Sequence, residues 1–154
     1  MQSRLHCNAL SVVETILNAP IGKIQYALEE SLKCNVRLTV VEQNSSIKQQ
    51  FVRKISISVM NIPIIRATVT FDGNLLPDYI LYDVLMKKLS IGQILEKNDI
   101  AGIRWIKSLK LNFEKNRLFR EYEIINDKST WFVICEEIDL DSLQSILEPH
   151  LVNV

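Results

Sequence analysis

The hydrophobic period of this chain changes at Cys34, and that change constrains the fold more than any other feature. Before it, Val12, Val13, Ile16 and Leu17 recur at helical spacing within Ser11 to Leu17. Ile21, Ile24, Ala27, Leu28 and Leu32 do the same from about Pro20 to Leu32. Asn18, Ala19 and Pro20 interrupt the two helices, and Pro20 suits a first helical turn, where its missing N–H has no partner to lose. After Cys34 the period is two. Val36, Leu38 and Val40 alternate with Arg37, Thr39 and Val41. Phe51, Arg53, Ile55, Ile57 and Val59 share one face of a second strand, opposite Lys54, Ser56 and Ser58. Asn61 to Pro63 turns the chain into a third strand, Ile64 to Phe71, with Ile65, Ala67, Val69 and Phe71 on one face.

Asp72, Gly73 and Asn74 close that strand, and helical spacing returns. Leu81, Val84 and Leu85 form a stripe within Tyr79 to Lys88, and Ser90 caps a short helix containing Ile91, Ile94 and Leu95. Ile103, Trp105, Leu109, Leu111 and Phe113 then fall on one face of a long strand. Leu118 to Ile125 and Thr130 to Ile138 follow, joined by a tight turn at Asn126, Asp127 and Lys128. A last helix, Asp141 to Pro149, is capped by Asp139 or Asp141. Strands joined by short turns are antiparallel. The spacing therefore predicts an α+β fold: one domain over residues 1–154, with a roughly six-stranded antiparallel sheet and helices covering one face.

Composition narrows the function. A chain of 154 residues that is 47% hydrophobic and 23% charged is long enough for one core. Eighteen basic residues balance eighteen acidic ones, so a basic nucleic-acid-binding surface is not expected. No apolar run reaches the roughly 18 residues of a membrane helix. Met1 to Leu10 lacks the apolar core of a secretory signal. Cys7, Cys34 and Cys135 are odd in number and lack C-x-x-C spacing, which predicts free, buried thiols in a reducing compartment. Such a compartment is the cytoplasm or a plastid stroma. His6 and His150, near opposite ends, do not make a metal site, and no metal or cofactor is expected. There is no G-x-S-x-G elbow, Gly-rich phosphate loop or H-E-x-x-H.

Two polar residues break the pattern. Arg53 lies on an otherwise apolar strand face, where a guanidinium is costly unless it meets an anion. Glu136 shares a face with Phe132, Ile134 and Ile138, within the apolar run Trp131 to Cys135, which reads as a strand buried on both faces. A carboxylate there needs a partner or keeps a proton. Either the two residues pair with each other or reach out at strand ends, or they present one cation and one carboxyl to a small, mainly apolar anion in a closed pocket. Arg66, which alternates with Thr68 and Thr70, reads as solvated surface.

Three stretches resemble the chorismate lyase family. Phe51 to Ile57, F-V-R-K-I-S-I, is similar to the strand that carries the family's substrate-carboxylate arginine, and Arg53 falls on that arginine. Leu89 to Leu95, L-S-I-G-Q-I-L, resembles the family's short P-[IL]-G-x-x-L helix, with Ile91 and Gly92 on its apolar residue and glycine and Ser90 in place of the proline. Arg120 to Glu136 resembles the closing hairpin, with Glu136 on its glutamate. Asn18 to Lys23 stands where the family often has D-G-S-x-T-[RK], with Ile21 at the apolar site position and Gly22 replacing the hydroxyl residue. No basic residue stands at Ile103, where one normally follows the short helix, and Arg104 is the nearest substitute.

The resemblance implies a cofactor-independent lyase that converts chorismate to 4-hydroxybenzoate, a quinone precursor, and pyruvate. Aromatisation drives that elimination, so the protein binds the dianion, excludes water and helps a proton move. By the same resemblance, Arg53 would hold the ring carboxylate in a bidentate contact and Glu136 would face the position that becomes the 4-hydroxyl. Ile21 and Ile91 would flank the ring, with Gly92 beside them. The family shares its fold with effector domains of certain transcription regulators. A non-catalytic domain binding a small aromatic acid is therefore the alternative. In those regulators a winged-helix domain precedes the effector domain, and 154 residues leave no room for one.

Overall fold

Each run of period-two residues forms a strand, and each strand ends where turn chemistry begins. The computed structural model describes residues 2–45 and 48–148, with side chains from residue 9 onward. The strands β1 (Val36–Ser45), β2 (Gln50–Val59), β3 (Ile62–Asp72), β4 (Ile103–Asn112), β5 (Arg117–Asn126) and β6 (Ser129–Asp139) make one sheet. Its order is β1-β2-β3-β6-β5-β4, and every neighbouring pair is antiparallel. Met60 and Asn61, at φ of 51° and 66°, turn β2 into β3, and Asp127 and Lys128, at 49° and 68°, turn β5 into β6. Two consecutive left-handed residues twist a hairpin in the hand that strands require.

Five helices, α1 (Gln2–Asn18), α2 (Ile24–Leu32), α3 (Asp78–Leu85), α4 (Ile91–Lys97) and α5 (Leu140–Leu147), cover one face. Two cores form beneath them. One gathers α3, α4 and the Phe51, Phe71 and Phe132 end of the sheet. The other gathers α1, α2 and α5 over Ile57, Ile65 and Ile138. Ser90 caps α4 with a full capping box: its hydroxyl accepts from Gln93 N, and the Gln93 side chain accepts from Ser90 N, both at 3.0 Å. Asp139 caps α5 by accepting from Ser142 N at 3.1 Å. The expected end of that helix at Pro149 lies outside the described residues.

Four expectations change. First, α2 starts at Ile24 rather than near Pro20. Residues 20–23 instead form a turn closed by Lys23 N donating to Pro20 O at 3.0 Å, and Gly22 at φ +86° cannot sit in a right-handed helix. Second, β4 does not keep one apolar face. A bulge between Ile106 and Ser108 shifts the alternation. Arg104, Leu109 and Leu111 thus face the side of Tyr122 and Arg120, while Trp105 takes the side of Glu123. Third, the thiols are not buried: Cys135 is exposed on the uncovered sheet face, where its Sγ lies 3.5 Å from Glu121 Oε1, and Cys34 is half-buried. Both are free, and the side chain of Cys7 lies outside the described residues. Fourth, β6 is not buried on both faces, because the helices cover only one; Trp131 and Phe132 are buried, but Val133 is half-buried.

Candidate functional site

A partly enclosed cavity lies where the two cores meet. From the sheet come Leu38, Ile55, Ile57, Ala67, Val69, Ile124 and Ile134. From the helical layer come Ile21, Gly22, Ile24 and Gln25 before and within α2, and Ser90, Ile91, Gly92 and Gln93 at the start of α4. Arg104, Tyr122 and Glu136 supply charge and a hydroxyl. The interior leaves about 60 Å³ for the centres of water-sized atoms. One water needs roughly 10–15 Å³ on that measure, so the cavity suits a ligand the size of a single substituted ring.

Two glycines let the roof close. A Cβ on Gly92 would stand 2.2 Å from Gly22 N, and one on Gly22 would stand 2.8 Å from Gly92 O. The 20–23 turn and the first turn of α4 are therefore in backbone contact, a distance only hydrogen side chains allow. Lys23 Nζ bonds Glu96 Oε1 at 2.7 Å on the outside of this seam. Inside it, Arg104 Nη1 donates to Ala19 O at 2.8 Å and Arg120 Nη1 to Leu17 O at 3.2 Å. These carbonyls end α1, where cations also complement the helix dipole.

Glu136 is buried and fully engaged. Arg120 Nε donates to its Oε1 at 2.6 Å, and Tyr122 Oη donates to its Oε2 at 3.1 Å. Arg120 Cζ stands 4.9 Å and Arg104 Cζ 4.8 Å from the centroid of the Tyr122 ring. Burial, reinforced by the Glu136 charge, pushes the Tyr122 hydroxyl above its ordinary pKa, so it remains a proton donor.

Arg53 presents the opposite situation. It is 0% exposed, and its one hydrogen bond runs from Nη2 to Leu89 O at 2.6 Å. Nε and Nη1 are buried without partners, and among the described residues no carboxylate pairs with it. Burial lowers its pKa from 12.5 to about 10, which leaves it a cation at neutral pH. It stands beside the cavity rather than in its lining: on the ladder it is opposite Val69, which lines the wall, and two residues from Ile55, which also does.

Of the residues singled out from sequence, Ile21, Ile91, Gly92 and Glu136 line this one cavity. Arg53 and Glu136 do not pair: one strand, β3, lies between theirs, and each has other partners. Arg66 is exposed, as its alternation indicated. Arg120, Tyr122, Gln25 and Gln93 were not singled out. The available signal was parity: Arg120, Tyr122 and Ile124 share one face of β5, opposite Glu121 and Glu123. Among the described residues no cluster of His, Cys, Asp and Glu is placed to hold a metal ion, and no helix is long and apolar enough to cross a membrane.

No family model matches the chain, and no curated protein matches it. Solved structures do share its fold. PhnF from Mycobacterium smegmatis superposes with a TM-score of 0.57 at 8% identity, over 80% of this chain and 66% of that one. The effector domain of PhnF, solved by itself, gives 0.55 at 9% identity over 79% and 91%. The chain thus spans slightly under two thirds of the whole PhnF protein and nearly all of its effector domain. At these identities the likeness is one of fold.

Proposed function

We propose that the cavity binds a small, ring-bearing carboxylate. The carrying observation is Arg53, a fully buried cation with two unpartnered N–H groups and, among the described residues, no carboxylate paired with it. An uncompensated buried charge is expensive; a ligand carboxylate that reached Arg53 past the Ile55 and Val69 wall would offset that charge and accept from both groups. The apolar walls suit a ring, and Glu136 with Tyr122 offers polar atoms elsewhere in the lining. A binding role without chemistry draws further support from the fold shared with the PhnF effector domain. Calorimetric titration with 4-hydroxybenzoate tests it: saturable binding that Arg53→Ala weakens by more than about tenfold is expected. Equal binding by both proteins would sink the assignment.

A second reading makes the same pocket a lyase that eliminates pyruvate from chorismate. It draws on the resemblance at Arg53, Ile91, Gly92 and Glu136, and on the mainly apolar lining with a buried carboxylate in it. Elimination with aromatisation needs no nucleophile, metal or cofactor; it needs an anchored dianion, a closed apolar chamber and a fixed proton acceptor. In this reading Glu136, which accepts from Arg120 and Tyr122, would be that acceptor. Pyruvate release from chorismate, coupled to lactate dehydrogenase, separates the two: release favours the lyase, and tight product binding without release favours the sensor.

A further inference from the structure

The strand β4 has the apolar content of a strand to be covered, yet it stands at the edge of the sheet. Ile103, Trp105, Ile106, Leu109, Leu111 and Phe113 are all exposed, Phe113 by 84%. Ile106, Leu109 and Leu111 project on the side of Tyr122 and Arg120 but remain uncovered there, and Trp105 projects on the other side. Among the described residues, no strand pairs with the outer side of β4 and no other backbone group bonds it. A long apolar edge with free N–H and C=O groups is a template for one more strand.

The opposite edge is built differently. The strand β1 carries Arg37, Glu42 and Asn44, and Val41 is its one exposed large apolar residue. Side chains of α2 close its first residue: Gln25 Nε2 donates to Val36 O at 2.8 Å, and Val36 N donates to Glu29 Oε2 at 3.4 Å. Both edges contain a bulge, so the contrast lies in the side chains. The cations of β4 are largely engaged within the chain. Arg104 donates to Ala19 O, and Lys107 Nζ lies 2.9 Å from Glu123 Oε2 and 3.7 Å from the Trp105 ring centroid. That leaves Lys110, too little charge to recognise an acidic partner.

We propose that β4 pairs antiparallel with β4 of a second copy of this chain, about a two-fold axis. Such a pair closes on itself, whereas β4 laid on the polar β1 edge of another copy would propagate without end. The shared ladder fills the free backbone groups of both copies, and the apolar side chains on both faces of the edge leave water. At about 200 Å² for each large side chain, the six expose on the order of 700 Å², close to the roughly 800 Å² per partner of a standard interface. Eighteen basic and eighteen acidic residues leave the copies with no net charge to hold them apart.

Sedimentation velocity from about 1 to 100 μM tests the pairing, because association follows concentration. Circular dichroism checks that each variant is folded. Wild type is expected to become a dimer within that range. Leu109→Glu, which sets two carboxylates close together at the centre of the ladder, should stay monomeric, and Val41→Glu on the β1 edge should dimerise as wild type does. A wild type that stays monomeric throughout overturns the proposal, and so does a dimer that survives Leu109→Glu or is broken by Val41→Glu instead. Should Leu109→Glu not fold, Phe113→Ser asks the same question at a residue too exposed to support the monomer; it should weaken association by about tenfold, and unchanged association would count against the edge. Hydrogen exchange tests for another occupant. The β4 amides should gain protection only as the dimer forms; amides already protected in the monomer would mean that the chain covers its own edge, and the proposal would fall.

Discussion

Arg53 and Glu136 are the same kind of anomaly in sequence and opposite kinds in structure. Both are buried charges on apolar strand faces. Glu136 has its counter-charge one strand away, in Arg120, and a tyrosine hydroxyl on its other oxygen. Arg53 has a backbone carbonyl and, among the described residues, nothing that offsets its charge. The difference separates two uses of buried charge. A charge the fold neutralises can be structural whatever else it does. A charge the fold leaves open costs stability in every empty molecule, and something outside the chain must give a return for it.

The two residues should therefore respond oppositely to removal, and the largest effect belongs to Glu136. Glu136→Ala strands Arg120 in the interior and frees the Tyr122 hydroxyl. Losing one partner of a buried pair costs about 3–5 kcal/mol, a fall in melting temperature on the order of 10 °C for a domain of this size. A smaller drop, under about 1 kcal/mol, would mean that water reaches the pair. Arg53→Met should behave in the reverse sense. It removes an unpaired cation and keeps much of the volume, so the empty protein should melt at the same temperature or higher, while 4-hydroxybenzoate binding falls by more than about tenfold. A protein destabilised by Arg53→Met, with ligand affinity intact, would assign Arg53 to the structure instead.

That contrast was half legible in the sequence. Period-two alternation put Arg53 and Glu136 on apolar faces because side chains alternate strictly along a strand. It could not say who stood opposite Glu136. Continuing the Ile125↔Thr130 register would place Arg120 opposite Cys135. A one-residue irregularity between Ile124 and Ile125 shifts every later pair and brings Arg120 opposite Glu136 instead. The bulge in β4 likewise moves Trp105 away from the face of Leu109 and Leu111. Bulges depend on local backbone geometry that residue type barely records, so strands and hairpins were readable while cross-strand partners were not. The Gly22–Gly92 seam was hidden for a related reason: the glycines are 70 residues apart in sequence, and only the assembled fold brings them together.

The seam supplies a mid-sized effect and tests whether the roof matters to the Arg53 side. Gly92→Ala places a methyl carbon 2.2 Å from Gly22 N and 2.5 Å from Gly22 Cα, backbone that must move away. Overpacking of this sort costs roughly 1–3 kcal/mol. Because the displaced turn carries Ile21 and Gly22, both in the cavity lining, ligand dissociation should quicken as well. Stopped-flow displacement of bound 4-hydroxybenzoate reads that rate. A slower melt without any change in dissociation would show that the seam is packing only.

The smallest effect is a pH dependence, and its sign follows from the lowered pKa of Arg53. In the folded protein burial holds that pKa at about 10, against 12.5 for an ordinary guanidinium. Between those values the unfolded chain binds a proton that the folded chain has released, so stability rises with pH over that window. Below about 10 both states are protonated, and the cost of burying the charge is fully present. Arg53→Met has no such group and no such cost. Its stability advantage over wild type should therefore be constant from pH 6 to 9 and shrink as pH climbs through about 10. Comparing the two proteins in urea at each pH cancels the lysine and tyrosine titrations they share. A bound carboxylate favours the charged guanidinium and should move the crossing upward, so the same comparison repeated with saturating benzoate should keep wild type pH-independent to a higher value. If the ligand leaves the crossing where it was, Arg53 does not touch the carboxylate, and the cation that does must be sought at Arg104, which lines the cavity and whose Nε is buried without a partner.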